Sequence, residues 1–271
     1  MKVAAIQMVS AIEREANLAR AHALLAKAAA EGAELAVLPE YFCMMGARDT
    51  DKLGLRETAG TGAVQNFLAD AACEFGLWIV GGTLPLETED DNHVFNSSLV
   101  YSPDGACVAR YDKIHLFYFD NGRERYDERR VIAPGSRPML FDLPSRDGHR
   151  WRVGLSVCYD LRFPELYRAL AREGAELMLV PSAFTRTTGA AHWEVLLRAR
   201  AIENLAWVVA PAQGGTHENG RHTWGQSMVV DPWGSVVAQQ AVGEAVVLFD
   251  IDAQQVERAR AQLPALSHCV L

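Results

Sequence analysis

Short apolar runs alternate with a long amphipathic stretch over the first forty residues. Residues 3–8 and 35–38 have the length and composition that favour buried strands. Residues 13–31 are rich in alanine and place their leucines on one face, which predicts a helix that ends at Gly32. The order strand, helix, strand predicts a β-α-β unit, whose two strands are usually parallel.

The pattern then continues to a predicted hairpin and a long loop. The elements predicted after the first unit are a helix at 63–75 and strands at 78–80, 94–101 and 106–112. The last two strands are joined by S-P-D-G at 102–105, which is a strong turn signal. Residues 114–138 show no regular pattern, and an irregular segment of this length usually has a function.

The second half of the chain repeats this order. Its predicted elements are strands at 152–158, 177–180, 207–210 and 245–251 and helices at 164–172 and 190–204. The segment G-A-E-L-A-V-L-P at 32–39 returns as G-A-E-L-M-L-V-P at 174–181, and a second hairpin forms around D-P-W-G at 231–234. Residues 252–271 are predicted to be a tail. Two halves with the same order of elements indicate a duplicated architecture.

Duplicated halves predict an α/β fold in which two similar sheets face each other, with helices outside. Strands buried on both faces should be continuous apolar runs, as these are. The alternative is one doubly wound sheet. Against that alternative, both hairpins look antiparallel and no G-x-G-x-x-G follows the first strand. We expect one domain over residues 1–271.

Composition narrows the class of protein. The chain has 271 residues, 49% of them hydrophobic, which is enough for one large core. A net charge of −8 without a basic stripe argues against a nucleic-acid partner. Five widely spaced cysteines without C-x-x-C, no signal core and no long apolar run predict a soluble cytoplasmic protein with no membrane partner. His217 and His222 flank one loop, but no further ligand completes a metal site.

The stretch V-G-L-S-V-C-Y-D-L-R-F-P-E at 153–165 places Cys158 where a strand ends and a helix is about to begin at Pro164. Nucleophiles are often exposed at such a junction, although a cysteine is also a common core residue. Glu40 and Lys113 likewise follow apolar strands, and strand ends of α/β proteins converge on a crevice. Taken singly, Glu40 is better explained as a surface turn residue and Lys113 as a solvated charge on a strand edge.

Three motifs together resemble the nitrilase, or carbon–nitrogen hydrolase, superfamily. They are P-E-Y-F at 39–42, Y-D-K-I-H-L-F at 111–117 and C-Y-D-L-R-F-P-E at 158–165. The resemblance implies a catalytic triad of Glu40, Lys113 and Cys158, a four-layer α-β-β-α sandwich, and no cofactor or metal. It also implies a second glutamate just before a P-G, which Glu128 in E-R-R-V-I-A-P-G matches.

The sequence around the cysteine resembles the deaminated-glutathione amidase branch, with the ω-amidase branch close by. The relevant segments are C-Y-D-L-R-F-P-E, P-S-A-F-T at 181–185 and T-G-A-A-H-W-E-V-L-L-R-A-R-A-I-E at 188–203. The implied substrate is a small amide that carries a carboxylate. The open alternatives are a nitrilase, an N-carbamoyl amidohydrolase or acyl transferase on the same residues, and an inert scaffold of the same fold.

An anionic substrate on an acidic protein needs a local cation. Arg162 and Arg186 are the candidates, although both are equally explained as structural ion-pair residues. Phe184 and Thr185, just past a strand end, and Tyr159, next to the cysteine, are predicted to contact the substrate.

The predicted helices at 164–172 and 190–204 carry apolar stripes broader than one sheet face requires. The resemblance implies that these helices pair across a homodimer interface, which would give an eight-layer assembly.

Overall fold

The computed structural model describes residues 1–270 and contains two stacked β-sheets with helices on their outer faces. The helices are α1 (Arg14–Ala30), α2 (Asp51–Gly54), α3 (Ala63–Phe75), α4 (Pro164–Arg172), α5 (Arg186–Asn204) and α6 (Ala253–Gln262). The strands of the first half are β1 (Lys2–Gln7), β2 (Leu35–Val37), β3 (Trp78–Val80), β4 (Leu84–Glu87), β5 (Val94–Tyr101), β6 (Cys107–Asp112), β7 (Tyr118–Asp120), β8 (Arg125–Asp127) and β9 (Ile132–Ala133). Those of the second half are β10 (Met139–Pro144), β11 (Arg150–Leu155), β12 (Leu177–Leu179), β13 (Trp207–Ala210), β14 (Ser227–Val230), β15 (Val236–Gln240) and β16 (Ala245–Asp250).

The first sheet has the order β16-β1-β2-β3-β5-β4, and β6 and β9 also pair with β5. Strands β1, β2 and β3 are parallel, as the predicted β-α-β unit requires. Strands β5 and β6 form the predicted antiparallel hairpin. The last strand of the chain, β16, completes this sheet by pairing antiparallel with β1.

The second sheet has the order β10-β11-β12-β13-β14-β15. Its strands β11, β12 and β13 are parallel, and β14 and β15 form the second hairpin. The two sheets therefore repeat one arrangement. The prediction of two similar sheets is confirmed, and the doubly wound alternative is wrong.

The side chains of β1 alternate between two apolar layers. Val3 and Ala5 pack toward the second sheet, in the same cluster as Val153 and Leu177. Ala4 and Ile6 pack on the other side, with the buried residues of α1 and α3. Successive residues of a strand point to opposite faces, so a strand between two apolar layers must be apolar throughout. Because α4 and α5 cover the second sheet, the order of layers is α-β-β-α.

Several segments differ from their predicted structure, among them α2, β4 and β10, which were not predicted. Residues 114–138, predicted to be irregular, contain the β7–β8 hairpin, strand β9 and a 3-10 turn at Glu128–Arg130. These elements were not predicted, because short strands without apolar alternation leave no signal in the sequence. Helix α5 begins at Arg186 instead of 190, since Thr185 caps it by accepting a hydrogen bond from the Thr188 amide at 3.3 Å. Within the predicted tail lies α6, which buries only Val256 and Ala259. No helix among the described residues is long and apolar enough to cross a membrane.

Candidate active site

Glu40 directly follows the second strand of the first sheet and is held by three donors. Lys113 Nζ and Asn96 Nδ2 each donate to its Oε1 at 2.9 Å, and the Ala183 amide donates to Oε2 at 2.9 Å. The side chain is 1% exposed. A buried carboxylate with this many partners has one orientation, so its position relative to the neighbouring strand ends is fixed.

The turn that carries Glu40 packs tightly against residues 82 and 83. Gly82 has φ +48°, and a Cβ atom at this position would lie 2.0 Å from the carbonyl oxygen of Pro39. The hydroxyl of Thr83 accepts a hydrogen bond from the Tyr41 amide at 2.9 Å. Tyr41 itself has φ +58°. Only glycine allows this close approach of two backbones, and the contact fixes where the carboxylate leaves the sheet.

Lys113 follows β6, and its side chain is fully buried. It donates to Glu40 and to Glu128, at 2.9 Å in each case. Burial alone would lower the pKa of Lys113, but the negative charges of Glu128 and Glu40 outweigh burial, so its pKa lies above the ordinary value. The side chain is therefore a buried ammonium ion between two carboxylates.

Glu128 lies at the start of the 3-10 turn after β8. It accepts hydrogen bonds from Lys113, from the Phe117 amide at 2.7 Å and from the Tyr41 hydroxyl at 2.8 Å. Burial opposes ionisation, but the Lys113 ammonium and these hydrogen bonds outweigh it, so the pKa of Glu128 is lowered. Glu128 is thus an ionised carboxylate whose two oxygens are both occupied.

Cys158 begins a tight turn after β11 and has φ +50°. Its amide donates to the carbonyl oxygen of Pro181 at 3.0 Å, which ties the turn to the end of the neighbouring strand β12. Burial raises the pKa of the Cys158 thiol well above its usual value, and the neighbouring Glu40 carboxylate raises it further. The resting thiol is therefore protonated and stands beside a carboxylate that can take its proton.

Asp160 joins the cysteine turn to the segment that carries the buried lysine. Its fully buried carboxylate accepts hydrogen bonds from the Val157 amide at 2.8 Å and the Tyr111 hydroxyl at 2.7 Å. It also contacts both the amide and Nδ1 of His115, at 3.0 and 2.7 Å. Tyr111 and His115 flank the lysine, so one carboxylate sets the spacing between nucleophile and ammonium.

These side chains open into one cleft. Its lining residues are Glu40, Phe117, Glu128, Cys158, Tyr159, Arg162, Ala183, Phe184, Thr185, Thr188 and Arg221. The structure thus brings together all four residues predicted to be catalytic. Three of them line the cleft, and the fourth, Lys113, lies beneath its surface, bonded to Glu40 and Glu128. Four of the five residues predicted to contact the substrate line the same cleft. The fifth, Arg186, is exposed at the start of α5 and does not line the cleft.

Sequence reasoning missed several residues that complete the site. Asn96 is a buried polar residue within an apolar strand, and that position was the available signal for it. The Ala183 amide carries no side-chain signal. Tyr41 follows Glu40 directly, but its contact with Glu128 depends on the fold. Arg221 lies in the loop between His217 and His222, and the sequence alone does not distinguish an arginine in such a polar loop from a solvated surface charge.

The loop with His217 and His222 is built around hydrogen bonds. His217 is buried, its Nδ1 lies 2.9 Å from the Ser10 carbonyl oxygen, and its Nε2 lies 2.8 Å from the Thr223 hydroxyl. Both ring nitrogens are therefore occupied. Across residues 1–270 no group of three or more histidine, cysteine or acidic side chains is arranged to hold a metal ion.

Comparison with known proteins assigns the chain to a family. A model of the carbon–nitrogen hydrolase family matches residues 2–261. A deaminated glutathione amidase of Synechocystis sp. is 39% identical over 270 residues, covering 98% of this chain and 97% of the relative. The omega-amidase NIT2 of Homo sapiens is 36% identical over 265 residues, covering 97% and 92%. The structure of Saccharomyces cerevisiae Nit3, described as a member of branch 10 of the nitrilase superfamily, superposes with a TM-score of 0.86 at 30% identity, covering 97% and 94%.

The chain therefore belongs to the carbon–nitrogen hydrolase family, which confirms the resemblance found in its three motifs. Within that family it is a hydrolase of carbon–nitrogen bonds in amides.

Proposed function

We propose that Cys158 is the nucleophile of an amidase, that Glu40 is its general base and acid, and that Lys113 stabilises the oxyanion. The observation that supports this best is the buried Lys113 ammonium, bonded to Glu40 and Glu128 beside a protonated thiol. A scaffold has no use for a buried ion cluster that costs desolvation energy, so the arrangement favours catalysis over the inert alternative.

The first half of the reaction cleaves the amide. The Cys158 thiol transfers its proton to Glu40 as sulfur attacks the carbonyl carbon, which gives a tetrahedral oxyanion. The Lys113 ammonium and the Tyr159 amide stabilise that oxyanion; removal of one such donor costs roughly 10²–10³ in rate. The carbon–nitrogen bond then breaks, and Glu40 gives its proton to the departing nitrogen. The amine leaves and a thioester remains on Cys158.

The second half hydrolyses the thioester. Glu40 removes a proton from water as the water oxygen attacks the thioester carbonyl, and a second oxyanion forms in the same position. Its collapse breaks the carbon–sulfur bond and releases the acid. The sulfur regains its proton from Glu40, which restores the resting state. Glu128 keeps Lys113 charged and in place throughout, because it holds the ammonium by a second hydrogen bond beside that to Glu40.

We further propose that the substrate is deaminated glutathione, cleaved at its internal amide to 2-oxoglutarate and cysteinylglycine. The support is the name of the Synechocystis relative and the arginines that line the cleft, which suit an anionic substrate. The alternative is 2-oxoglutaramate, the ω-amidase substrate, which the name of the human relative supports. Nitrile and N-carbamoyl substrates are less favoured, because neither relative is named for them.

The test compares the release of 2-oxoglutarate from deaminated glutathione and from 2-oxoglutaramate by the wild type and by Cys158→Ala. We expect a higher kcat/KM for deaminated glutathione and a loss of at least roughly 10⁴-fold in the variant. Cys73→Ala is the matched control, because Cys73 is exposed and outside the lining of the cleft. A preference for 2-oxoglutaramate would keep the triad and move the substrate to the alternative. Activity that survives in Cys158→Ala would refute the mechanism.

We also propose that the protein is a homodimer that pairs through α4 and α5. Val195 and Ile202 on α5 are 67% and 46% exposed, and Trp233 in the adjacent hairpin is 58% exposed. Helix α5 and this hairpin are in direct contact, since Arg198 Nε donates to the Gly234 carbonyl at 2.8 Å. An exposed apolar surface on helix and hairpin together suits a second copy of the chain.

The cytoplasm is the proposed compartment. A mechanism that depends on a free Cys158 thiol suits a reducing compartment, where thiols are not converted to disulfides.

A further inference from the structure

Arg221 is a guanidinium in the cleft whose donors are poorly used. Its Nη2 lies 3.5 Å from the Ala183 carbonyl oxygen, and its Nη1 lies 4.0 Å from the sulfur of Met45. Its Nε is buried and has no hydrogen-bond partner among residues 1–270. A guanidinium has five N–H donors, and a buried donor without a partner costs free energy in the absence of a ligand.

No carboxylate of the described chain forms an ion pair with Arg221. Glu128 lines the same cleft, but its oxygens are bonded to Lys113, Phe117 and Tyr41. The charge of Arg221 is therefore left for a group that enters the cleft. A planar guanidinium matches a carboxylate through two parallel hydrogen bonds, and such bonds are strong where water is largely excluded.

Arg221 is also held in a defined position. Its guanidinium carbon lies 5.1 Å from the centre of the Tyr126 ring. Its amide donates to Asn219 Oδ1 at 2.9 Å, and its carbonyl accepts from the His217 amide at 2.9 Å. Because His217 is itself anchored at both ring nitrogens, the loop is ordered without a ligand. A cation positioned in advance loses little entropy when it binds an anion.

The second arginine of the cleft is engaged differently. Arg162 Nη1 lies 3.1 Å from His192 Nδ1, in an exposed contact. Its guanidinium carbon lies 5.6 and 5.4 Å from the ring centres of Tyr159 and Phe184. Arg162 is half-buried like Arg221, but within the described chain no buried donor of Arg162 lacks a partner, so its contacts create no demand for a ligand anion.

We propose that Arg221 is the residue that binds the carboxylate of the substrate and that it sets the preference for anionic amides. The inference rests on the proposed amidase function and assigns the specificity of that site. Arg221 reads the anionic group while Cys158 attacks the amide carbonyl, so a neutral amide of the same length is a poorer substrate.

The experiment uses two isosteric substrates, glutaramate and glutaramide, in which a carboxylate is exchanged for a carboxamide. The measured quantity is the ratio of their kcat/KM values for the wild type, Arg221→Gln, Arg221→Lys and Arg162→Gln. We expect Arg221→Gln to lower the ratio about 10- to 100-fold, mainly through KM for glutaramate, as for the loss of one charged hydrogen-bond partner. Arg221→Lys should retain part of the ratio, because it keeps the charge but not the paired donors.

Two controls make the result specific. Arg125→Gln removes a charge from an exposed arginine in β8 and should leave the ratio unchanged. Thermal melting checks that each variant is folded. An unchanged ratio in folded Arg221→Gln, or a larger loss in Arg162→Gln, would overturn the proposal.

A binding measurement separates this inference from the proposed reaction. Glutarate, the dicarboxylate product of glutaramate hydrolysis, is titrated calorimetrically into Cys158→Ala with and without Arg221→Gln. We expect at least about tenfold weaker binding when Arg221 is replaced. Equal affinities would refute the role of Arg221 even if the amidase mechanism holds, and a wild type without amidase activity would refute the mechanism without affecting this comparison.

Discussion

Lys113 shows what a single residue can and cannot reveal before the fold is known. From the local sequence alone, a lysine at the end of a strand is better explained as a solvated charge at the edge of a sheet. In the structure the ammonium is fully buried, and its partners Glu40 and Glu128 lie 73 and 15 positions away. A buried charge is tolerable only when paired, and the pairing is a property of the fold. The motifs could therefore identify the residue types, but the local sequence could not supply their protonation states.

The Glu128→Gln variant tests the ion pair at the scale of one residue. We expect it to lower the free energy of unfolding at pH 7 by about 3 kcal/mol, at the low end for breaking a buried pair because Glu40 still bonds to Lys113. We also expect a loss of about 10²-fold in kcat/KM, since Lys113 loses a partner that positions it. Urea denaturation and initial rates measure the two effects.

The same variant has a defined pH dependence. The pKa of Glu128 is lowered in the folded state from an unfolded value of about 4.3. Its stabilising charge is therefore fully present above that pH and is lost as the pH falls through the folded pKa. The stability difference between wild type and Glu128→Gln should narrow below about pH 4. Glu89→Gln, at an exposed residue, is the surface control, and a pH-independent difference for Glu128 would contradict the lowered pKa of that carboxyl.

At the scale of elements, strand ends were the most predictable part of the site. Glu40 and Cys158 were expected where apolar runs stop, and both follow buried strands. What could not be predicted is how the turns after those strands touch. Gly82 was one glycine among 21 in the sequence, and its contact with Pro39 depends on the parallel pairing of β2 with β3. Close approach of two backbones has no signature in a hydrophobic pattern.

Gly82→Ala tests whether that contact positions Glu40. The added Cβ would lie 2.0 Å from the Pro39 carbonyl oxygen at a residue with φ +48°, so the two turns must separate. We expect the free energy of unfolding to fall by about 2–4 kcal/mol, and kcat to fall at least about tenfold. Gly148→Ala is the matched control, because Gly148 has φ +86° but nothing within 4 Å of the added atom. It should cost about 1 kcal/mol and leave kcat unchanged; equal effects of the two substitutions would exclude a positional role for Gly82.

At the scale of the whole molecule, the internal repeat was sufficient to predict two facing sheets. It was not sufficient to place the elements outside the repeat. Strand β4 and strand β10 were missed, and β16 returns to β1 across the entire length of the chain. Strands β4 and β10 pair with strands next to them in the chain, whereas β16 and β1 join residues more than 200 positions apart, for which one sequence holds no direct signal. The order of layers could therefore be predicted, but the edges of each sheet could not.

The exposed face of α5 is the remaining feature that operates at this scale. Val195 and Ile202 are 67% and 46% exposed, although neighbouring positions of the same helix are buried against the second sheet. We expect light scattering of the wild type to give about twice the chain mass of 29.8 kDa, as for a dimer that covers these residues. Replacing both with glutamate should give the mass of one chain, because two pairs of desolvated carboxylates would be buried at the interface.

The control for this change is Val242→Glu. Val242 is 61% exposed in the loop between β15 and β16, so the chemical change and the exposure match those at Val195 while the location differs. The control should remain dimeric, and none of the variants should lose much thermal stability within a chain, since exposed valines contribute little to the core. A wild type of 29.8 kDa, or a dimer that survives glutamate at both positions of α5, would exclude this interface. If the variant is a monomer that keeps its kcat/KM, the cleft is complete within one chain, and assembly serves the stability of the four-layer fold instead of its chemistry.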